Sequence, residues 1–353
     1  MSRSGSSRSG FMSARVVHLH PSRFCNLACQ HCYSTSGPDI RGELTPGTII
    51  SALTVLQAEG YEVLSLSGGE PLLYSGLETV VHGAVDLGFH VNLITNGAPV
   101  GGRLLNFIAK HVNLVAVSLD GAPETHNELR GDAHAFVRAE RAMDRLGAVG
   151  ARFGIAYCVS QESLAGMPWA AEFAKEKNAA LLQFHPFAPT GRGQRLANRL
   201  SLHETDKARA YFIATLLDTG GEPMIHLDLA PVEVAHMRRG DYAVLDLKDA
   251  TTTLLSDLVN PLIIDETGLM VPLSYGINQR LALGQLGPNL SDQIAYYKEI
   301  GWRDLHALIE ASFVLLGKRN ESFVDWFYHV VETSHSFLPH ATIRLNKESH
   351  KYA

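Results

Sequence analysis

The chain has 353 residues, and its acidic and basic side chains nearly balance at a formal charge of −6. Hydrophobic residues make up 46% of the sequence and charged residues 19%, which is ordinary for a protein that folds around an apolar core. No long basic run is present, which argues against a nucleic-acid partner. No apolar run reaches the ~18 residues that a membrane-spanning helix needs, and no membrane partner is expected.

The first 14 residues are rich in Ser, Arg and Gly and are predicted to form a disordered tail. They lack the apolar stretch of a secretory signal. Three of the four cysteines fall within eight residues, in a chain without an export signal. This pattern favours the reducing cytoplasm, where thiols stay free to bind metal.

From residue 15 onward, short apolar runs alternate with amphipathic helical stretches. Thr45 is predicted to cap the first helix, with Pro46 at its first position. Strands are predicted at 14–20, 61–67, 90–96, 112–120, 151–160 and 179–187, with helices at 45–60, 75–88, 101–111, 133–150 and 165–177. Such an alternation indicates parallel βαβ units, as an open sheet or a partial barrel, with the chemistry at the carboxyl ends of the strands.

The regular alternation of predicted strands and helices ends at about residue 220. Residues 260–276 predict a hairpin whose turn is "DETG", and two helices are predicted near 290–317 and 320–334. We therefore divide the chain into a tail (1–14), a barrel domain (15–222) and a smaller C-terminal α+β module (223–353).

Cys25, Cys29 and Cys32 stand in the segment "CNLACQHCY", spaced C-x3-C-x2-C after the first strand. A structural zinc site normally has four ligands. A cubane iron–sulfur cluster held by three thiolates keeps one iron open for a substrate or cofactor. The spacing alone leaves a degenerate zinc knuckle or a chance grouping of cysteines as the alternative.

This segment resembles the signature of the radical S-adenosylmethionine (SAM) enzymes. In that family the open iron of a [4Fe–4S] cluster binds the amine and carboxylate of SAM. The resemblance extends over roughly residues 15–200, because "SGGEP" (67–71), "TNG" (95–97) and "SLDGAPETHNELRG" (118–131) follow in the order that the family shows. It implies a partial (β/α)6 TIM-type barrel.

The resemblance also implies which residues bind each cofactor. Cys25, Cys29 and Cys32 would hold the cluster. The Glu70 carboxylate would bind the amino group of SAM. It lies on a Gly-rich turn whose backbone can approach the cofactor closely. The SAM contacts carried over from the family are His31, Tyr33, Gly68, Gly69, Glu70, Pro71, Asn96, Ser118, Asp120 and Arg130. For the last three, a strand-end hydroxyl, a turn-forming Asp and a solvated Arg are the alternatives.

The C-terminal module is similar to the SPASM or twitch extension of peptide-modifying relatives, but it contains no cysteine. We therefore expect a single cluster per chain. Cys158, in the fifth predicted strand, is interpreted as a small buried hydrophobe, with a barrel-lining thiol as the alternative. His185, at the end of the sixth strand, is a candidate for substrate contact, and both residues are candidate catalytic groups.

The resemblance implies reductive cleavage of SAM to a 5′-deoxyadenosyl radical, which abstracts hydrogen from the substrate. The subgroup favours a ribosomally made precursor peptide that is crosslinked, epimerised or oxidised. The alternatives are a radical dehydrogenase or dehydratase acting on a small molecule such as a sugar in natural-product biosynthesis, and a non-catalytic iron–sulfur protein. Expected partners are a reductant such as flavodoxin or ferredoxin and a separate peptide-recognition protein, because the first strand begins by residue 15.

Overall fold

A computed structural model describes residues 14–239 and 250–337 of the chain. The expectation of a tail at 1–14 lies outside these ranges except for Ala14. Within the two ranges, no helix is both long enough and apolar enough to span a lipid bilayer.

Ten strands form one sheet, and two short strands form a second. The strands are β1 (Val16–Leu19), β2 (Val63–Leu66), β3 (His90–Thr95), β4 (Leu114–Leu119), β5 (Phe153–Val159), β6 (Leu181–Pro186), β7 (Met224–Leu227), β8 (Ala230–Pro231), β9 (Leu262–Ile264), β10 (Leu269–Pro272), β11 (Gly284–Gln285) and β12 (Phe323–Val324). The order in the large sheet is β11-β10-β9-β1-β2-β3-β4-β5-β6-β7.

Helices connect the parallel strands and cover one face of the sheet. They are α1 (Pro46–Ala58), α2 (Leu77–Asp86), α3 (Gly102–His111), α4 (Pro123–Arg130), α5 (Ala135–Ala148), α6 (Met167–Glu176), α7 (Ala197–Leu200), α8 (Glu204–Leu217), α9 (Val232–Met237), α10 (Leu255–Leu258), α11 (Leu290–Tyr296), α12 (Trp302–Leu316) and α13 (Trp326–Ser336). A π-helical turn, Tyr297–Gly301, joins α11 to α12, and a 3-10 turn, Gly191–Leu196, follows β6.

The predicted α/β fold is confirmed, and its local signals act as expected. The Thr45 hydroxyl accepts a hydrogen bond from the backbone N–H of Thr48 at 3.3 Å, and Pro46 opens α1. All six predicted strands form, in sequential order and parallel. The "DETG" turn closes the hairpin of β9 and β10, where the Gly268 N–H donates to the Asp265 carbonyl at 2.9 Å.

The structure adds elements that the sequence reading did not include. Helix α4 follows β4, and β7 extends the sheet as a seventh parallel strand beside β6. The single predicted helix at 290–317 is divided by the π-helical turn. Strand β9 pairs with β1, so strands on both sides of residue 222 lie in one sheet. The division at residue 222 stays a prediction.

The sheet curves so that its inner face encloses a space. Alternate residues of β1 and β4 are fully buried against the helices, and the residues between them face inward and are partly accessible. His18 of β1 and His185 of β6 are separated by four strands in sheet order. Burial, and to a lesser degree the nearby His185, lowers the pKa of His18 to about 4, so the two side chains lie near each other despite the four strands between them. The architecture is therefore a partial barrel.

We predict that Tyr61→Phe destabilises the fold. The Tyr61 hydroxyl is buried and donates a 2.6 Å hydrogen bond to the carbonyl of Val259, which links the start of β2 to the chain before β9. Removing the hydroxyl leaves a buried carbonyl without its donor, which costs about 1–3 kcal/mol of unfolding free energy. Urea denaturation measures the change. Tyr296→Phe is the matched control, because Tyr296 is 43% exposed and its loss should cost less than about 0.5 kcal/mol. Equal effects of the two substitutions would contradict the prediction.

Candidate active site

The three clustered cysteines lie in the loop between β1 and α1. Cys25 and Cys29 are buried, Cys32 is partly buried, and all three are free thiols. The loop has no helix or strand of its own and is held by backbone hydrogen bonds, from Cys25 N–H to the Gly37 carbonyl at 3.2 Å and from Cys32 N–H to the Cys29 carbonyl at 3.3 Å. Three thiols are thereby presented at the carboxyl end of β1.

Each thiol has a polar group against its sulfur. The contacts are Leu27 N–H to Cys25 Sγ at 3.5 Å, Asn96 Nδ2 to Cys25 Sγ at 3.8 Å, Arg130 Nη1 to Cys29 Sγ at 4.0 Å, and Ser34 Oγ to Cys32 Sγ at 3.4 Å. Amide and guanidinium donors stabilise an anionic sulfur. These donors favour the thiolate, which is the form that binds metal, but burial opposes them.

Burial raises the pKa of Cys25 to about 12 and also raises the pKa of Cys29. A positively charged metal centre is what keeps such buried thiols ionised. In residues 14–239 and 250–337, no group of three or more His, Cys, Asp or Glu side chains is arranged to hold one metal ion. Thiolates that each bind a different iron of a cluster do not have to converge on one point. A set of three thiols fits a cluster, which keeps one iron open, better than a structural zinc site, which normally has four ligands.

The Gly-Gly-Glu turn packs directly on the cysteine loop. Gly69 N–H donates to the Ser22 carbonyl and Glu70 N–H to the Phe24 carbonyl, both at 2.9 Å. A Cβ on Gly69 would lie 2.1 Å from the Phe24 carbonyl oxygen, so only glycine allows this approach. Gly68 has a positive φ of 100°, and Pro71 begins the short 3-10 turn that follows.

Glu70 is 2% exposed and joins the ends of β2 and β3. Its carboxylate accepts hydrogen bonds from Thr95 Oγ1 at 2.7 Å, Asn96 N–H at 2.8 Å and Leu72 N–H at 3.1 Å. Burial raises the pKa of Glu70 to about 7, and these hydrogen bonds oppose the rise. A carboxylate has about four acceptor positions, so one is left for a further donor.

Asp120, just after β4, is the centre of a buried charged group. Arg130 of α4 donates to it from Nε at 2.5 Å and from Nη2 at 3.0 Å, and His31 Nε2 lies 3.4 Å from the carboxylate. Burial alone would raise the pKa of Asp120, but Arg130 and His31 outweigh it and hold that pKa well below its usual range. The Arg130 side chain is only 12% exposed. The alternative of a solvated surface Arg is therefore wrong.

Three buried polar atoms near the cysteine loop lack a hydrogen-bond partner among the described residues: His20 Nδ1, His31 Nδ1 and Arg192 Nη2. Leaving a buried polar atom unpaired is costly, so such atoms commonly mark a place where a ligand binds. Together with the thiols, they fit a site that takes a cluster and a polar cofactor.

An aromatic group connects the cysteine loop to the C-terminal hairpin. The His20 ring stacks on Tyr275 with a centroid separation of 4.8 Å, and Tyr33 meets Tyr275 edge-on at 5.3 Å. The Tyr275 hydroxyl donates to Glu266 at 3.3 Å, and Glu266 lies 3.1 Å from Arg23. The sequence reading did not link Tyr275 to the site, because 242 positions separate it from Tyr33.

Ser118 of β4 and Cys158 of β5 occupy partly accessible alternate positions of their strands. Ser118 pairs in register with Ala156 of β5, and Cys158 pairs with His185 of β6. Cys158 is partly buried and packs on the apolar side chains of Leu129, Phe187 and Leu200. Burial raises the pKa of its thiol, which makes it a poor nucleophile without a partner.

Asp228 is a candidate functional residue that the sequence reading missed. It follows β7, and its carboxylate binds Nδ1 of His185. His226 Nδ1 lies 3.4 Å away and Gln183 Nε2 approaches to 3.4 Å. Burial would lower the pKa of His185, but the charge and hydrogen bond of Asp228 outweigh it and raise that pKa. The alternation in "MIHLD" (224–228) was the available signal, because it predicts a strand that ends at Asp228.

Residues 19–173 match the radical SAM superfamily. The chain is also similar to curated relatives. They are AdoMet-dependent heme synthase of Methanosarcina barkeri (34% identical over 182 residues, 51% of this chain and 52% of the relative), Fe-coproporphyrin III synthase of the same organism (29% over 197 residues, 55% and 49%) and mycofactocin maturase MftC of Mycobacterium ulcerans (30% over 171 residues, 48% and 46%). The chain spans about half the length of these relatives.

Two solved structures share the fold. Streptococcus suis SuiB bound to S-adenosylmethionine superposes with a TM-score of 0.64 at 15% identity, over 84% of this chain and 68% of SuiB. A histidine-tagged form of anSMEcpe with bound AdoMet gives a TM-score of 0.64 at 17% identity, over 94% and 92% of the two chains. At these identities the likeness concerns the fold alone.

The fold, the cysteine loop and the match agree that residues 19–173 form a radical SAM domain. A [4Fe–4S] cluster and SAM are the cofactors that define this superfamily. The roles of individual residues toward them remain predictions.

We predict that Asp120→Asn is strongly destabilising. The substitution leaves Arg130 as a buried charge without its counterion, which costs about 3–5 kcal/mol of unfolding free energy. Asp257→Asn is the control, because Asp257 pairs with Arg15 while both side chains are more than 30% exposed (34% and 38%). Its loss should cost at most about 1 kcal/mol. Urea denaturation compares the two, and an Asp120→Asn variant as stable as the control would refute the buried pair.

We predict that Asp228→Asn lowers the pKa of His185, because burial is then opposed only by the weaker effect of Asp325. An NMR titration of the histidine ring protons measures this pKa, and the His185→Gln variant identifies the His185 resonance. In the parent protein this pair stabilises the fold at intermediate pH. The stability contributed by protonated His185 is lost as pH rises through the raised pKa of His185. The stability contributed by ionised Asp228 is lost as pH falls through the lowered pKa of Asp228. Asp218→Asn, at an exposed site, should leave the resonance unchanged.

Proposed function

We propose that this protein is a radical SAM enzyme that uses one [4Fe–4S] cluster. The observation that carries the proposal is the fixed cysteine loop, whose three thiols are flanked by the Gly-Gly-Glu turn and by Arg130. When bound, the cluster and SAM supply one-electron cleavage of the sulfonium and hydrogen-atom abstraction from the substrate. The cysteine count supports one cluster, because Cys158 is the only cysteine outside the loop.

The residues of this chain hold and orient these groups. Cys25, Cys29 and Cys32 are the proposed cluster ligands. Glu70 offers its remaining acceptor position to an ammonium group, and Thr95 and Asn96 fix the direction of its carboxylate. Asp120 fixes Arg130 beside Cys29, where the free side of the guanidinium can bind a carboxylate.

The remaining proposed SAM contacts are Gly68, Gly69 and Pro71 in the turn, His31 and Tyr33 in the cysteine loop, and Ser118 on the inner face of β4. The unpaired Nδ1 of His31 supports its place in this set. The inward-facing residues of β5 to β7 then remain for the substrate.

We infer a precursor peptide as the substrate, which is crosslinked, epimerised or oxidised. Support comes from the neighbours that cover both the barrel and the C-terminal part of this chain. One of them is SuiB, which has also been solved bound to precursor peptide SuiA, and another is anSMEcpe with bound AdoMet and Cp18Cys peptide. Sporulation killing factor maturation protein SkfB of Bacillus subtilis is a further relative, 32% identical over 123 residues.

A small-molecule substrate is the second candidate. Its support is that several relatives are named as heme synthases and others as S-adenosylmethionine-dependent nucleotide dehydratases. A radical dehydrogenase or dehydratase would use the same cofactor site. The two candidates differ in whether a peptide or a small molecule stimulates SAM cleavage.

The proposed partners follow from the chemistry. A low-potential one-electron carrier such as flavodoxin or ferredoxin would reduce the cluster, and a separate recognition protein would deliver a peptide substrate. The reducing cytoplasm is the proposed location, since free thiols must be available for cluster assembly.

The test is anaerobic reconstitution with iron and sulfide, followed by reduction with dithionite and an assay for 5′-deoxyadenosine. We expect about four irons per chain and 5′-deoxyadenosine that increases with a peptide encoded beside the gene. A variant with Cys25, Cys29 and Cys32 changed to Ala should lose both the iron and the product. Cys158→Ala is the matched control and should keep the full iron content.

Each outcome is informative. Zinc or no metal in the parent protein would refute the proposal. A full cluster without SAM cleavage, with and without peptides and small molecules, would favour the non-catalytic iron–sulfur protein. Stimulation by a sugar or nucleotide and not by the peptide would favour the second candidate.

A further inference from the structure

The turn that follows β6 is packed tightly against the cysteine loop. Arg192 N–H donates to the carbonyl of Cys32 at 3.0 Å, and Arg192 Nε donates to the carbonyl of Cys29 at 2.8 Å. Gly191 has a φ of 55°, and a Cβ on it would lie 2.2 Å from the carbonyl oxygen of Tyr33. One residue of this turn therefore binds the backbone at two of the three cysteines.

The two arginines beside the loop differ in how their charges are balanced. Arg130 is neutralised by the two-pronged contact with Asp120. Arg192 has no carboxylate within ion-pair distance in the described part of the chain, and its buried Nη2 has no hydrogen-bond partner there. A guanidinium stays protonated in proteins. Arg192 is therefore a partly buried positive charge that no carboxylate of residues 14–239 or 250–337 neutralises.

A positive charge at this place has a definite effect on a one-electron centre. Reduction adds one negative charge to a cluster, and a nearby cation stabilises the reduced form more than the oxidised form. The effect is larger in a partly buried site than in water. Net charge and hydrogen bonds near the sulfurs are among the main determinants of cluster potentials.

We propose that Arg192 is a positioning residue that raises the reduction potential of the cluster, and so makes it reducible by a flavodoxin-type or ferredoxin-type donor. One electron passes from the donor to the oxidised cluster, and no bond or proton changes at Arg192. This inference rests on the proposed function, because it requires a cluster at Cys25, Cys29 and Cys32.

The test is the midpoint potential of the reconstituted full-length protein, measured without SAM by redox titration and EPR of the reduced cluster. For Arg192→Gln, we expect the ratio of reduced to oxidised cluster at a fixed potential to fall about tenfold, which corresponds to ~59 mV for one electron. Arg192→Lys keeps the charge and should recover most of the parent potential. Arg195→Gln is the matched control, since Arg195 is an exposed residue of the same turn and solvent screens its charge.

A second pair of variants covers the case in which Arg192→Gln does not assemble a cluster. A Cβ on Gly37 would lie 4.0 Å from Arg192 Nη1 and meet nothing closer, and Gly37 does not have a positive φ. Gly37→Asp therefore places a carboxylate beside Arg192 without removing it, and Gly37→Asn adds the same shape without charge. We expect the Asp variant to have the lower potential.

The results separate this inference from the function on which it rests. A parent protein without a cluster overturns both. A parent protein with a cluster, whose potential is the same in Arg192→Gln and in Arg195→Gln, overturns the role of Arg192 alone. Where Arg192→Gln holds no cluster, equal potentials for Gly37→Asp and Gly37→Asn do the same. A structural role of Arg192 would change the iron content and leave the potential of the assembled cluster unchanged.

Discussion

The site depends on one constraint, which is that a loop without regular structure must keep three thiols together. Such a loop has no internal hydrogen-bond ladder to hold its conformation. Contacts with the surrounding strand ends stabilise it instead. The turn after β2 binds the backbone at Ser22 and Phe24, Arg130 contacts Cys29, and Arg192 binds the carbonyls of Cys29 and Cys32. Because these contacts come from separate βα units, the loop takes its shape only when the barrel has formed.

The same arrangement explains why the chain tolerates so many buried polar groups. Asp120 and Arg130 neutralise each other, and Glu70 obtains three donors from β3 and its own turn. Buried ionic groups contribute little net stability, but removing one partner is expensive. Here they determine where the loops lie, and the energy to maintain them comes from the apolar core on the other face of the sheet.

Much of the barrel could be predicted from the sequence, because alternation of strands and helices is a local signal and the parallel order follows from it. The cysteines and Glu70 could be identified because they occur in short motifs. Asp228 and Tyr275 could not, since each acts through a partner that is 43 or 242 positions away, His185 and Tyr33 respectively. The alternation in "MIHLD" indicates strand β7, but with only four strand residues it is a short signal that a loop could also produce. The burial of Arg130 likewise depends on α4 folding back over the site.

The pairing of β9 with β1 has a consequence for any attempt to divide the protein. In the intact sheet, β1 has neighbours on both sides, β2 and β9. A fragment that ended before β9 would make β1 an edge strand, with unpaired N–H and C=O groups facing solvent immediately before the cysteine loop. The backbone that leads into Cys25 would then be open to pairing with another molecule. The C-terminal hairpin therefore shields the strand that leads into the cysteine loop from pairing with another molecule.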